Sequence, residues 1–446
     1  MFYRNTIHEL RKWAKRDNRK PLILRGARQV GKTTLVNQFG KEFDTYLKLN
    51  LEEPEHFQLF ENYTNMEALL TGIYLVNEAQ RKTNSTLLFI DEIQNSPRAV
   101  SLLRYFYEKT PHLYVIAAGS LLESLIDKHI SFPVGRVEYM SVRPCSFNEF
   151  LSAIGKTEWQ KAQLTASIPL ALHQTLMSLF NQYALTGGMP EIVANYAITH
   201  DIISLGNIYD ALLTGYRDDL EKYAPTETMR NIMRHILLSG WNYAAQRIKF
   251  ERFGESNYRS REVGEAFRLM EKAMLLELVY PYGGYQIPII PELSHSPKLL
   301  WIDTGLVNFV AGIQKEIFGI KDISEAWRGK VAEQIVGQEL LSANNRFSYK
   351  RHFWARDTKT SIAEVDFIVQ MDDLLIPVEV KSGHNAKLRS LHLFMENAPH
   401  STAVRIWSNP FSIDEIKTPK GKSFTLYNIP FYYTGNLEQI LKTQPR

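Results

Sequence analysis

The sequence predicts an α/β protein with a parallel-sheet unit first, a mostly helical middle and a second α/β unit at the end. Three observations carry that expectation. Short apolar runs alternate with helical spacing from Pro21 to about Phe150, the alternation gives way to a long helical stretch after Gly155, and two strand-like runs appear between Ala363 and Lys381.

At 446 residues, 44% of them apolar, the chain is long enough for two to four domains that each bury a core. Aromatic residues make up 12% and no polar low-complexity tract occurs, which excludes large-scale disorder. The net charge of +4, from 52 Lys and Arg against 48 acids, implies by itself neither a nucleic-acid coat nor an acidic partner. Local clusters must carry that argument. The first 28 residues hold nine Lys or Arg against Glu9 and Asp17, and a second cluster runs through Lys350, Arg351, His352, Arg356 and Lys359; each reads equally as a solvated face. A single cysteine, Cys145, excludes an intramolecular disulfide, and with no signal-like segment a reducing cytoplasm is expected. No apolar run approaches the ~18 residues that span a bilayer. The most apolar stretch, Ala273 to Tyr280, is interrupted by Glu277, so no membrane insertion is expected.

The first helix sets Ile7, Leu10 and Ala14 on one side and Arg11, Lys12, Lys15 and Arg16 on the other. Pro21 to Arg25 reads as a buried strand. It leads into Gly26-Ala27-Arg28-Gln29-Val30-Gly31-Lys32-Thr33, and a helix opens at Thr34. Strand, Gly-rich loop and helix together form a phosphate-binding P-loop. Gly26 and Gly31 let backbone N–H groups wrap the phosphates, the helix N-terminus adds its donors, Lys32 neutralises the terminal phosphates and Thr33 holds Mg²⁺. A second buried strand, Leu87 to Ile90, ends in Asp91-Glu92. At a strand's carboxyl end Asp91 would hold Mg²⁺ through its water shell, and Glu92 would orient the water that attacks the γ-phosphate. A further strand, Leu113 to Ala118, ends in Gly119-Ser120. Ser120 serves there as a polar sensor of the γ-phosphate, as a helix N-cap, or as both.

These residues, with Gly135-Arg136 and Pro144 to Phe150, resemble the AAA-type (AAA+ superfamily) P-loop ATPases of prokaryotes whose AAA domain is joined to a C-terminal nuclease-like domain. The resemblance implies ATP as the nucleotide, with Mg²⁺, since the phosphate loop alone reads only phosphates. It also implies an arginine that reaches a γ-phosphate in the same or a neighbouring subunit, and hence a homo-oligomer. Arg136 matches by position, with Arg98 and Arg104 as rivals.

The helical stretch is broken at Gly187-Gly-Met-Pro190 and reaches about Tyr223 as a lid, with the next unit starting at Pro225. Two helical segments and the turn Pro281-Tyr-Gly-Gly284 then suggest a winged helix. Val263, Phe267, Met270 and Met274 form its core stripe, and Arg261, Glu265, Arg268 and Lys272 its exposed one. Such a unit either reads DNA, its Tyr282 to Tyr285 turn touching backbone, or docks protein.

After Trp327 comes a helix with Glu333, then the strand-like runs Ala363 to Val369 and Leu374 to Lys381. Alternation sets Glu379 and Lys381 on one face, and Asp366 on the adjacent strand completes the cluster. Alone, Glu379 and Lys381 would read as a surface cross-pair. The set Glu333, Asp366, Glu379 and Lys381 resembles the PD-(D/E)XK, restriction-endonuclease-like fold, which implies one or two Mg²⁺ or Mn²⁺ ions on the acids and a lysine that positions water. Lys387, Arg389 and His392 lie nearby for phosphate contact. The expected domains are 1–155 (ATPase), 156–225 (lid), 226–325 (winged helix) and 326–446 (nuclease-like). Two functions follow: an ATPase whose nucleotide state controls DNA binding or cleavage, or a nucleotide-timed interaction protein with inert docking domains.

Overall fold

The computed structural model describes residues 2–81, 85–119, 133–166, 168–312, 330–357, 362–381 and 388–443. Five short strands form the first sheet: β1 (Leu22–Arg25), β2 (Thr45–Asn50), β3 (Thr86–Asp91), β4 (Tyr114–Gly119) and β5 (Glu138–Ser141). All pair parallel, in the order β2-β3-β4-β1-β5. β1 and β3 are buried at every position because helices cover both sheet faces, which is why they read as continuous apolar runs. The helix Thr6–Ala14 buries Ile7, Leu10 and Trp13 against one face, and the helix Pro97–Lys109 covers the other from a Ser96 N-cap that accepts from the Ala99 N–H at 3.0 Å.

The helix Phe147–Ala153 starts in a capping box between Ser146 and Glu149, and the helices His173–Thr186, Pro190–Thr199 and Gly206–Tyr223 follow. Gly187 breaks the run with a φ of +78°; a Cβ there would lie 2.3 Å from the Asp303 carboxylate. Further along, the helices Glu227–Ser239 and Ser260–Lys272 pack on a small antiparallel sheet of β6 (Gln246–Arg247), β7 (Leu276–Val279) and β9 (Lys298–Trp301), in the order β6-β9-β7. Val263, Phe267 and Met270 are buried and Met274 is half-buried, while Arg261, Glu265, Arg268 and Lys272 are exposed, as the helical periodicity required.

β8 (Pro281–Tyr282) leaves this unit and pairs parallel with β10 (His352–Asp357) as the edge of a seven-stranded sheet. β11 (Ile362–Met371), β12 (Leu374–Lys381), β13 (Thr402–Trp407), β14 (Ser412–Lys417) and β15 (Ser423–Pro430) complete it, in the order β14-β15-β13-β12-β11-β10-β8. The Tyr282 to Tyr285 turn, read in the sequence as part of a winged helix, lies against this sheet: Tyr285 packs on Trp354 and Phe394, with ring centroids 5.7 and 5.3 Å away. Long-range strand pairing decided its position. The helix Arg389–Asn397 covers one face of this sheet and the helix Lys330–Ser342 the other.

One apolar core runs from Ile7 through the middle of the chain to Leu441. The last elements return to the helices after β5: Phe431 stacks on Phe180, and Gln163 donates to the Tyr432 carbonyl at 2.7 Å. Among the described residues, no helix is long and apolar enough to cross a membrane.

Candidate functional site

β1 brings the chain to Gly26, where a Cβ would sit 2.4 Å from the Val142 carbonyl oxygen, so the backbone runs too close there for any side chain. Gly31 takes a φ of +87°, and the helix Lys32–Phe39 starts immediately after it. The N–H groups of that helix's first turn, which have no intrahelical partners, therefore face the loop. The Lys32 ammonium is 2.9 Å from both the Gly26 and the Ala27 carbonyl oxygens. Burial lowers its pKa to about 8, with Glu92 and Asp91 acting the other way.

β3 ends at Asp91, whose Oδ2 accepts from the Thr33 hydroxyl at 2.7 Å. Burial raises the Asp91 carboxyl above its ordinary range, with the Thr33 hydrogen bond opposing. A hydroxyl and a carboxylate side by side beside a lysine make an oxygen donor set that fits Mg²⁺ bound together with phosphate. Glu92 has a φ of +51°, uncommon for a residue with a side chain. The turn sends Glu92 into the same cavity as Lys32 and Thr33, and Gln94 donates to its Oε2. That cavity, about 640 Å³, is lined by the loop residues Arg28 to Thr34 except Val30, and also by Arg4, Pro190 and Glu191.

The sequence reading missed Arg4. Buried, it donates to the Val30 carbonyl (3.1 Å) and the Arg143 carbonyl (2.6 Å) and pairs with Glu149 at 3.2 Å, tying the phosphate loop to the helix Phe147–Ala153. No local pattern marks it. Arg28 pairs with Asp219, and the Tyr216 hydroxyl donates to the Arg28 carbonyl at 3.2 Å, so the helix Gly206–Tyr223 is fastened to the loop. Arg136 instead pairs with Glu108 at 3.0 Å, half-exposed. Arg98 donates to the Tyr63 carbonyl (2.9 Å) and Arg104 to the Tyr105 hydroxyl (3.0 Å). None of the three lines the nucleotide cavity of its own chain. Ser120 lies outside the described residues, as do Lys359 and Lys387.

Members of both basic clusters are drawn into ion pairs. Arg11 meets Glu42 at 2.7 Å and Arg16 meets Glu138 at 2.8 Å. Arg351 is buried against Glu277 at 2.8 Å, and Lys350 reaches Glu271 at 3.1 Å. His392 lies edge-on to Phe424, whereas Arg389 is exposed.

The four acid and lysine positions singled out at the C-terminal end do converge. β11 and β12 run antiparallel with Phe367 opposite Val378, which brings Asp366 and Glu379 together, and Asp366 Oδ2 accepts from the Val380 N–H at 2.7 Å. Lys381 is 2.7 Å from Glu379 Oε1. Burial raises the carboxyls of Glu379, to about 7, and of Asp366; each also feels opposing lysines. Glu379 Oε2 is buried with no hydrogen-bond partner among the described residues, an orphaned anionic oxygen that a divalent cation would satisfy.

Glu333, Glu364 and Asp366 bring carboxylate oxygens within 4.8 Å of one another. Into this group projects Lys298 of β9, also missed by the sequence reading. Its buried ammonium is 2.8 Å from Glu333, 2.8 Å from Glu364 and 4.0 Å from Asp366. Burial alone would lower the Lys298 pKa, but these carboxylates outweigh it and hold the group charged. The sequence reading also missed Glu364, to which alternation along β11, two residues before Asp366, is the available signal; nothing pointed to Lys298.

A buried polar junction links the two regions. Gly188, two residues before Pro190 of the nucleotide cavity, donates its N–H to Asp303 at 2.5 Å and accepts from the Cys145 N–H at 2.6 Å. Gln338 accepts from the Thr304 N–H and hydroxyl, both at 2.7 Å. Glu339 accepts from the Tyr183 hydroxyl at 2.7 Å and the Phe147 N–H at 3.0 Å. Gln338 and Glu339 sit on the same helix, Lys330–Ser342, as Glu333.

Comparison with known proteins agrees with the first half of this picture. Residues 18–151 match the family model described as an AAA domain, so this part of the chain is an AAA-type P-loop ATPase domain. Residues 177–317 and 328–419 match two models described as domains of unknown function, DUF8612 and DUF4143. No curated protein matches the chain. Among solved structures it is similar to a Walker-type ATPase of Pyrococcus abyssi, with a TM-score of 0.45 and 14% identity over 70% of this chain and 96% of that one. It is also similar to the ORC1 protein of Aeropyrum pernix in complex with DNA, with a TM-score of 0.30 and 11% identity over 70% of this chain and 93% of that one.

Proposed function

We propose that the chain is an ATP-hydrolysing switch whose nucleotide state controls DNA binding or metal-dependent DNA cleavage by its C-terminal unit. One observation carries the reading: the helix Lys330–Ser342 has Glu333 in the acidic group near one end and Gln338 and Glu339 in the junction behind the nucleotide cavity near the other. Lys32 and the loop N–H groups bind phosphate, Thr33 and Asp91 hold Mg²⁺, and Glu92 orients the attacking water. Closure of Pro190 and Glu191 on bound nucleotide would pull on Gly188, and through Asp303 and Gln338 on that helix.

At the far end Asp366 and Glu379 would hold a divalent cation and Lys381 would position water, in the manner of a PD-(D/E)XK nuclease. The two helices on a three-stranded antiparallel sheet support the winged-helix reading of the middle unit, with the exposed stripe Arg261, Arg268 and Lys272 as its candidate DNA face. Arg136, Arg98 and Arg104 stay outside their own chain's cavity, which supports a finger supplied by a neighbouring subunit and a homo-oligomer as the active form, although Arg4 and Arg28 line that cavity from within.

The deciding assay incubates single- and double-stranded DNA with the purified chain and Mg²⁺ or Mn²⁺, with and without ATP, alongside Asp366→Ala. Cleavage that depends on Asp366 and changes with ATP supports the reading. ATP turnover without cleavage in any condition favours the second one, a nucleotide-timed interaction protein with inert docking domains. The Lys298 ammonium seated among the C-terminal acids is the observation on that side.

A further inference from the structure

In a two-metal phosphodiester site, two cations a few ångströms apart clamp the attacking and leaving oxygens, and each needs carboxylate oxygens of its own. The C-terminal acids of this chain divide into two groups. Glu333 and Glu364 face Lys298, each 2.8 Å from its ammonium. The other oxygen of Glu364 is 3.2 Å from Arg247. Lys298 and Arg247 are register partners on β9 and β6, so one small sheet of the middle unit presents both cations. Both Glu364 oxygens therefore already face protein cations. Asp366 and Glu379 form the other group. Asp366 is 4.0 Å from Lys298, and Glu379 keeps a buried Oε2 with no hydrogen-bond partner among the described residues.

Resting on the reading of Asp366 and Glu379 as a cation site, we infer that the Lys298 ammonium is a tethered replacement for one of the two divalent cations. The C-terminal site then has a single exchangeable cation position, framed by Asp366 and Glu379. Lys298 supplies the fixed positive charge for a phosphate at the other position, and the middle unit thereby contributes directly to the C-terminal site. The Lys298 Nζ lies within ammonium–oxygen hydrogen-bond distance of its two glutamates, where a divalent ion would otherwise draw on the same oxygens. The Phe353 ring faces the same ammonium, its centroid 5.0 Å away. A buried lysine anchored in this way cannot exchange with solvent as a metal ion does.

The test counts Mn²⁺ bound to the nucleotide-free full-length chain, by electron paramagnetic resonance of the free ion, in an Asp91→Asn background that removes the nucleotide-linked metal ligand. One site is expected, absent after Asp366→Ala. Lys298→Met, of similar length and uncharged, is expected to bind a second Mn²⁺. Should that variant fail to fold, Glu364→Gln decides: the single site should persist with its affinity unchanged, whereas loss of a metal ligand or its orienting partner costs about 10-fold or more. Two sites in the parent chain, or a weakening of that size in Glu364→Gln, would overturn the inference and leave the metal-site reading standing. No Mn²⁺ bound to the parent chain would overturn both.

Discussion

Arg4 offers a direct test of how the phosphate loop is held. Its guanidinium is buried, its Nε is 3.2 Å from Glu149, and its other nitrogens donate to the Val30 and Arg143 carbonyls at 3.1 and 2.6 Å. Replacing Arg4 with Met keeps most of the apolar stem but removes all three contacts and leaves the Glu149 carboxylate buried beside no cation. Breaking a buried pair on one side costs about 3–5 kcal/mol. With a urea dependence of about 3 kcal/mol per M, the unfolding midpoint of the ATPase unit should fall by roughly 1–2 M. ATP binding should weaken too, because Arg4 lines the nucleotide cavity and a Cβ on Gly31 would lie 3.3 Å from its Nη1. Adding Glu149→Gln removes the stranded charge and should recover part of the lost stability without restoring ATP affinity. Urea titration followed by tryptophan fluorescence, paired with calorimetric ATP binding, reads both effects. A midpoint shift below about 0.3 M in the single variant would refute a role for this pair in holding the loop, since it corresponds to about 1 kcal/mol, the worth of a surface pair.

Other outcomes follow from the same geometry. Glu92→Gln keeps the shape of the side chain but loses the charge that orients water, so single-turnover phosphate release should fall about 10²–10⁴-fold while ATP still binds; rapid continued turnover would remove Glu92 from the catalytic role. Burial lifts the Glu339 carboxyl to about 7, with Tyr183 and Phe147 donating against the shift. The folded state therefore holds a proton that the unfolded chain releases near pH 4.5. The stability this gives is full below that pH and is lost as pH rises through about 7, some 3 kcal/mol in all. Glu339→Gln should flatten the dependence of the unfolding midpoint on pH between 5 and 7, and an unchanged slope would contradict the assignment.

The parts legible in the sequence were those whose partners lie close along the chain or repeat with the period of an element. The phosphate loop is strand, loop and helix in succession, and Asp91 ends a strand buried on both faces, so its position at the strand's carboxyl end could be read directly. Asp366, Glu379 and Lys381 were found because alternation along adjacent strands aligns them. Lys298 was hidden because it opens an apolar run, Lys298-Leu-Leu-Trp, and its acids come from a helix and a strand far along the chain. Arg4 was hidden for the same reason, since Glu149 and Val30 reach it only through the fold. The basic run from Lys350 to His352 looked free to meet phosphate because its acids, Glu271 and Glu277, belong to another unit. The Tyr282 turn looked like a wing because its pairing with β10 is non-local.

The coupling between the two ends can be measured by hydrogen–deuterium exchange across residues 330–342 in the Glu92→Gln chain, with and without saturating ATP and Mg²⁺. Transmission through Gly188, Asp303 and Gln338 should change amide protection in this helix when ATP binds, and Gln338→Leu should abolish the change while ATP still protects residues 26–34. Protection confined to the phosphate loop, with the helix unchanged in the parent Glu92→Gln chain, would contradict a nucleotide-controlled C-terminal unit.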